Sequence, residues 1–245
     1  MSPPLAVVSG GTRGIGLALS RRLVKLGHRV VALYHSDAAA ACAAAGELGP
    51  VLRVRRLDVA DAEAVARVGA ELLATHGVPR VLVNNAGLNV DRPFLSMTTD
   101  DWRRVVDTNL SGVFHLCRAL VPAMLDKGGV VVNIGATTGI RPRRDGVNYC
   151  ASKAGLLQLT KCLALELAPR VRVNCLIPGA IETEELVTRF RLDDPRARAR
   201  MVAEIPQARI GDPEHVADAL EFLVGPASAY LTGQKIIVDG GQFMW

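Results

Sequence analysis

The sequence predicts an α/β fold in which a parallel sheet is covered by helices on both faces, and three observations predict it. Short β-rich runs alternate with longer helical patterns along most of the 245 residues, the order that βαβ units produce. Several of the runs are continuously apolar, VLV at 81–83 and VVV at 130–132 among them, as strands buried on both faces require. A glycine-rich turn also separates the first run from the first helical pattern, the place where a βαβ unit leaves backbone N–H groups free.

Taken in order, strands are expected at 5–9, 29–33, 51–57, 80–84, 130–134, 171–175 and 235–238. Helices are expected between them at 14–26, 38–48, 62–75, 99–126, 149–167 and 213–223. Asp61 before the third helix and Asp212 before Pro213 are the residue types that cap a helix N-terminus. The alanine run at 38–45 is helix-favouring and reads as a plain surface helix. Only 181–209 breaks the alternation. It mixes six acids with six arginines, a composition suited to a mobile, solvated lid within a single domain spanning 1–245.

Bulk properties narrow the function classes. A chain that is 49% hydrophobic and 22% charged fits one domain with a substantial core. The net charge of +5 comes without a block of like charges, Arg141, Arg143 and Arg144 being the densest basic cluster, and aromatics make up only 4%. Both facts argue against a nucleic-acid partner. Five cysteines, Cys42, Cys117, Cys150, Cys162 and Cys175, show neither CxxC spacing nor clustered histidines, so no metal site and no disulfide framework is expected. The opening MSPPLAVVSGG lacks the pattern of a signal peptide and no apolar run approaches membrane length. The expectation is a cytoplasmic, non-membrane protein.

After the first strand comes Ser9-Gly10-Gly11-Thr12-Arg13-Gly14-Ile15-Gly16. Glycines at 10, 14 and 16 permit a tight turn and close approach to a pyrophosphate, and the next helix N-terminus supplies unpaired N–H groups. At the end of the second strand, where an acid would hold the ribose of NAD, the sequence reads Leu33-Tyr34-His35-Ser36, and Asp37 arrives too late. Together with Arg13 this favours a 2′-phosphate, hence NADP(H).

Tyr149 and Lys153 stand one helical turn apart, where side chains meet on one face. A lysine cation beside a phenol is expected to lower the phenol's pKa and make it a usable proton donor and acceptor in carbonyl reduction.

With the glycine loop, Asn84-Asn85-Ala86-Gly87, Asn109 and Tyr149-x-x-x-Lys153 in one order, the whole chain resembles the short-chain dehydrogenase/reductase family. DTNLSGVFHLCRAL, NYCASKAG, IPGAIETE and the terminal VDGGQFMW most resemble its 3-oxoacyl-[acyl-carrier-protein] reductases. The resemblance implies a Rossmann domain with a doubly wound, seven-stranded parallel sheet, and a homotetramer packed through the long helices carrying Asn109 and Tyr149. By the same likeness Asp58 and Val59 hold the adenine, and Asn85, Ala86 and Gly87 line the ribose and nicotinamide side. Pro178, Gly179, Ile181 and Thr183 flank the carboxamide. Tyr149 protonates the carbonyl oxygen, Lys153 binds the nicotinamide ribose and tunes Tyr149, and Asn109 anchors a water leading to Lys153. The substrate implied is a 3-oxoacyl or polyketide-type thioester on an acyl carrier protein. Lys127 and Arg170 stand where the resembling reductases place basic docking residues, expected near the pocket.

One position departs from the pattern. The family's hydroxyl-bearing residue stands thirteen before the tyrosine, and here that is Ala136. Strand alternation would turn Thr137 away and carry Thr138 about 6.6 Å further along, unless Gly139 lets the backbone turn. Two readings follow: an NADPH-dependent ketoreductase in which Thr137, Thr138 or the substrate compensates, or a weak or inactive NADP-binding subunit that partners an active relative.

Overall fold

The computed structural model describes residues 3–244. Trp245 of the VDGGQFMW stretch and the first two residues of the N-terminal stretch lie outside the described residues. Seven strands, β1 (Leu5–Ser9), β2 (Arg29–Tyr34), β3 (Leu52–Arg56), β4 (Pro79–Asn84), β5 (Gly129–Ile134), β6 (Val171–Pro178) and β7 (Lys235–Val238), form one sheet in the order β3-β2-β1-β4-β5-β6-β7. Every pairing is parallel. The order reverses between β1 and β4, which opens a crevice beyond their C-terminal ends.

Alternation along the strands assigns the two faces of the sheet. Val7, Val31, Leu82, Val131 and Val173 pack on one side against helices α3 (Ala62–His76), α5 (Gly112–Lys127) and α6 (Val147–Leu167), through side chains such as Leu72, Leu120 and Leu156. Ala6, Val8, Val30, Val83 and Val132 pack on the other against α1 (Gly14–Lys25) and α9 (Pro213–Val224), through Leu19, Leu23 and Leu220. Both expected caps are present. Asp61 accepts from the N–H of Ala64 at 2.9 Å and Asp212 from that of Glu214 at 2.8 Å. Helix α2 (Ala38–Leu48) covers the β3 side of the sheet.

Three expectations are corrected. The single helix expected over 99–126 is α4 (Thr99–Val106), a π-helical turn over Asp107–Ser111 and then α5. A π turn adds a residue per hydrogen-bonded ring and is found most often at functional sites, and this one carries the buried Asn109. The 181–209 segment, expected as an irregular lid, contains two short helices, α7 (Glu184–Phe190) and α8 (Pro195–Ala203). Its charges partly pair internally: Arg198 bonds Glu182 at 2.7 Å. Strand β5 ends at Ile134, and 137–139 form a 3₁₀ turn, so extended-strand alternation does not govern the two threonines.

Candidate active site

The glycine loop and the turn after β4 are locked together by two side chains, Ser9 and Asn85, each bonded to the other segment's backbone. Ser9 Oγ accepts from the N–H groups of Asn85 and Ala86, both at 3.0 Å. Asn85 Nδ2 donates to the carbonyls of Ser9 at 3.1 Å and Gly10 at 3.0 Å. Gly10 and Gly14 adopt φ of 61° and 51°, a region side chains disfavour. A Cβ on Gly16 would lie 1.9 Å from the Gly10 carbonyl oxygen. Helix α1 starts after Arg13 with no side chain capping its first N–H groups, so those donors and the helix dipole are free for an anion. These residues fit the pyrophosphate of a dinucleotide.

Every residue expected to hold the cofactor lines one cleft of about 1750 Å³, as do Ala136, Thr137, Thr138, Tyr149 and Lys153. At its adenosine end His35 Nε2 lies 3.6 Å from Asp58 Oδ2, and Asp58 Oδ1 accepts from Ala60 N–H at 2.9 Å. Arg56, which the sequence reading passed over, pairs in register with Tyr34 and donates from Nε to the His35 carbonyl at 3.1 Å. The LRVRR pattern of β3 was its available signal.

Helix α6 presents Tyr149 and Lys153, the pair expected to react. Lys153 is 4% exposed, and its Nζ donates to the Ile134 carbonyl at 2.8 Å and sits 5.8 Å from the Tyr149 ring centre. The Tyr149 hydroxyl has no protein hydrogen-bond partner among the described residues. The expected lowering of the phenol by the lysine is reversed here. Burial pushes Tyr149 up to about 12, with the Glu185 carboxylate adding to the rise and Arg189 and Arg143 opposing it. Burial likewise pushes Lys153 down to about 8. In both groups burial is the largest cause, and neither is shifted mainly by the other.

Asn109 is fully buried behind the cleft wall. Its Oδ1 accepts from Leu88 N–H at 2.8 Å, and its Nδ2 donates to the Leu88 carbonyl at 2.9 Å and to Ser152 Oγ at 3.2 Å. The side chain is thus engaged in bracing the segment after β4 against α6. A Cβ on Gly87 would fall 3.3 Å from Asn109 Oδ1 and 3.7 Å from Lys153 Nζ, so the three expected residues are neighbours.

Ala136 keeps an extended backbone (φ −157°, ψ 153°) and the chain turns at once. Gly139 makes this possible, because a Cβ there would meet the Lys153 backbone at 2.8 Å. Thr137 is 8% exposed, and Thr138 Oγ1 is buried without a hydrogen-bond partner. Arg143 reaches back over Tyr149, its guanidinium carbon 5.6 Å from the ring centre, a contact that sequence proximity alone did not reveal.

Lys127 and Arg170 do not border this cleft. They flank the start of β5 and β6, where Gly129 N–H bonds the Arg170 carbonyl at 3.2 Å and Arg80 bonds the Lys127 carbonyl. This is the N-terminal edge of the sheet, opposite the cleft, because a parallel sheet puts all its strand starts at one end.

A family model described as Enoyl-(Acyl carrier protein) reductase matches residues 10–242. The chain is 36% identical over 242 residues to the 3-oxoacyl-[acyl-carrier-protein] reductase FabG of Vibrio harveyi, covering 98% of this chain and 97% of that one. It is 39% identical to the FabG of Aggregatibacter actinomycetemcomitans, with 96% and 97% covered. It is also 38% identical to 3beta-hydroxysteroid dehydrogenase 1 of Eggerthella lenta, with 98% and 93% covered. A crystal structure of a putative gluconate dehydrogenase from Agrobacterium tumefaciens superimposes with a TM-score of 0.91 at 31% identity, covering 98% and 95% of the two chains. With its sheet order, its glycine cradle and its Tyr149–Lys153 pair, the chain belongs to the short-chain dehydrogenase/reductase family of NAD(P)-dependent oxidoreductases.

Proposed function

We propose that this chain is an NADPH-dependent ketoreductase that reduces a 3-oxoacyl or polyketide-type thioester borne on an acyl carrier protein to the corresponding hydroxyl compound. The observation that carries it is the placement of Tyr149 and Lys153 one turn apart on α6, in the same cleft as the glycine cradle. The chemistry a nicotinamide would supply, held by the glycine cradle and Lys153, is a hydride (a proton with two electrons) for the carbonyl carbon. Tyr149 gives its hydroxyl proton to the carbonyl oxygen, and the product is an alcohol. The phenolate left behind is stabilised by the Lys153 ammonium and reprotonated from its side. Asn109 holds the backbone behind Lys153 in place.

NADP(H) over NAD(H) is supported by the absence of an acid at Tyr34-His35-Ser36 and by the exposed guanidinium groups of Arg13 and Arg56 around that turn. A homotetramer is supported by exposed apolar side chains on the two long helices, Phe114 on α5 and Leu165 on α6. No helix among the described residues is long and apolar enough to cross a membrane. Lys127 and Arg170 lie at the opposite end of the sheet from this cleft, and carrier docking on them is tested by charge reversal. Lys127→Glu with Arg170→Glu then slows carrier-bound substrate severalfold and spares a free ketone.

Purified protein with NADPH or NADH and a panel of 3-oxoacyl thioesters and activated or aromatic ketones tests the reading. Cofactor oxidation with NADPH preferred is the expected result. No oxidation beyond that of Tyr149→Phe would overturn it and leave the cofactor-binding subunit that Ala136 suggests.

A further inference from the structure

The approach of Arg143 to Tyr149 is a built feature of the cleft. Its Nη2 donates to Asn89 Oδ1 at 3.0 Å and to Asp91 Oδ1 at 2.6 Å. The guanidinium occupies space that only a glycine at 146 leaves open, since a Cβ there would lie 2.8 Å from the guanidinium carbon. The loop bearing it is pinned to the 89–92 segment: Arg92 N–H bonds the Asp145 carbonyl at 2.8 Å, and Asn148 Nδ2 bonds the Val90 carbonyl at 3.0 Å. Asp145 takes a left-handed φ of 59° to close this turn. An arginine on an open surface loses rotamer freedom when fixed, and here three separate contacts fix one.

We propose that Arg143 is a positioning residue for the reaction, a permanent cation clamped over the Tyr149 ring by Asn89 and Asp91, which stabilises the phenolate formed on proton transfer and offsets the absence of a hydroxyl at position 136. The inference rests on Tyr149 being the proton donor proposed above. Guanidinium stays protonated at any working pH, and a cation within about 6 Å of an aromatic face attracts it, more so when the ring carries charge.

The other charged and titratable groups facing Tyr149 are Glu185 and Arg189 from α7, with Cys150 and Lys153 on its own helix. Arg189 bonds the second oxygen of Asp91, so one carboxylate engages two guanidiniums and one positive charge is left in excess, against which Glu185 acts. Thr137 and Thr138 also line the cleft, on the 3₁₀ turn that follows Ala136, and neither stands at position 136 itself.

The pH dependence of alcohol oxidation with NADP⁺ tests this, because there the phenolate is the base and the rate climbs with pH up to its pKa. Arg143→Gln should move that limb upward by about one pH unit and so lower kcat at neutral pH about tenfold, with KM nearly unchanged. Arg143→Lys, which keeps the charge, should stay within about threefold of the parent. Gly146→Ala, which displaces the guanidinium without removing it, should shift the limb in the same direction by less. Ala136→Ser should restore more activity in the Arg143→Gln background than it adds to the parent.

A readout independent of turnover comes from ¹³Cζ-tyrosine NMR. The chain has three tyrosines, and Tyr149→Phe identifies the signal that matters. At pH 11 the phenolate share of that signal should fall severalfold in Arg143→Gln. An unmoved limb together with an unmoved NMR signal overturns the proposal even if activity drops, and so does Arg143→Lys behaving like Arg143→Gln. If the protein turned over no ketone, the reading of its reaction would fail, and the NMR titration would still decide whether Arg143 acts on Tyr149.

Discussion

At the dinucleotide end of the cleft, a methyl group on Gly16 would fall 1.9 Å from a backbone oxygen; at the carbonyl end, a methyl group is what Ala136 already carries. The first end is built from backbone. Its donors are main-chain N–H groups and its shape is set by glycines at positive φ, so few sequences can make it. The second end is built from side chains, the neutral Tyr149 phenol among the charged groups Lys153, Glu185, Arg143 and Arg189, and charge acts over several ångströms. Electrostatic stabilisation can therefore be redistributed among residues as steric fit cannot. On the proposed reading, this difference accounts for a chain that keeps the glycine cradle while carrying Ala136 thirteen residues before Tyr149.

The sharpest way to separate the two ends is Tyr149→Phe. Loss of a positioned proton donor costs about 10²–10⁴ in rate, and NADPH affinity measured by fluorescence titration should stay within about threefold of the parent. A comparable loss of cofactor affinity would mean that the ends are not independent. Ala136→Ser comes next, in the opposite direction. An oxyanion donor is worth about 10²–10³ where it acts alone. With Arg143 already supplying positive charge, a gain of about tenfold in kcat is expected from steady-state kinetics on the preferred ketone. A gain of the full 10² or more would show that the carbonyl end had not been compensated.

Gly16→Ala probes the other end. Its Cβ also meets Asn85 Nδ2 at 2.5 Å, so the brace between the loop and the turn after β4 must open. Forcing an extra methyl into such a site costs about 1–3 kcal/mol. Urea denaturation should register this even without cofactor, and NADPH affinity should fall with it. An unchanged denaturation midpoint would mean that the loop adjusts freely, which would contradict the rigid cradle.

The same division governed how much the sequence revealed. Seven strands were legible because continuous apolar runs such as VVV at 130–132 have no other economical burial than a covered sheet. The glycine loop was legible because its spacing is a steric requirement. The break in the helix expected over 99–126 was not legible, because a π turn is made by packing around Asn109 rather than by a breaker residue. The fate of Thr137 and Thr138 depended on whether β5 continued, and the close approach of Gly139 to the Lys153 backbone decided that. Arg143 on Asp91 and Arg189 on the same carboxylate join positions 52 and 98 residues apart, contacts that no local pattern encodes. Lys127 and Arg170 were placed near the pocket by likeness, and the parallel sheet put them at its opposite edge.

Lys153 offers the most diagnostic effect, because it sets stability against chemistry at one residue. Its pKa falls from an ordinary 10.5 to about 8 in the folded chain. Below pH 8 the ammonium is charged in both states, and its burial costs stability. Between pH 8 and 10.5 the folded chain releases the proton while the unfolded chain keeps it, so stability rises with pH. Tyr149 acts in the opposite sense above pH 10, since its raised pKa of about 12 makes the folded chain hold a proton that the unfolded one loses. Lys153→Met should therefore abolish activity, remove the rising slope between pH 8 and 10, and stabilise the protein at pH 7 by about 1–3 kcal/mol. For a domain of this size that is a rise of roughly 2–4 °C per kcal/mol in Tm. Thermal denaturation at several pH values between 7 and 10 reads all of it. A Lys153→Met protein with the parent's slope would show that the buried ammonium is better satisfied by the Ile134 carbonyl than burial alone implies, and that the carbonyl end of the cleft is as preorganised as the glycine end.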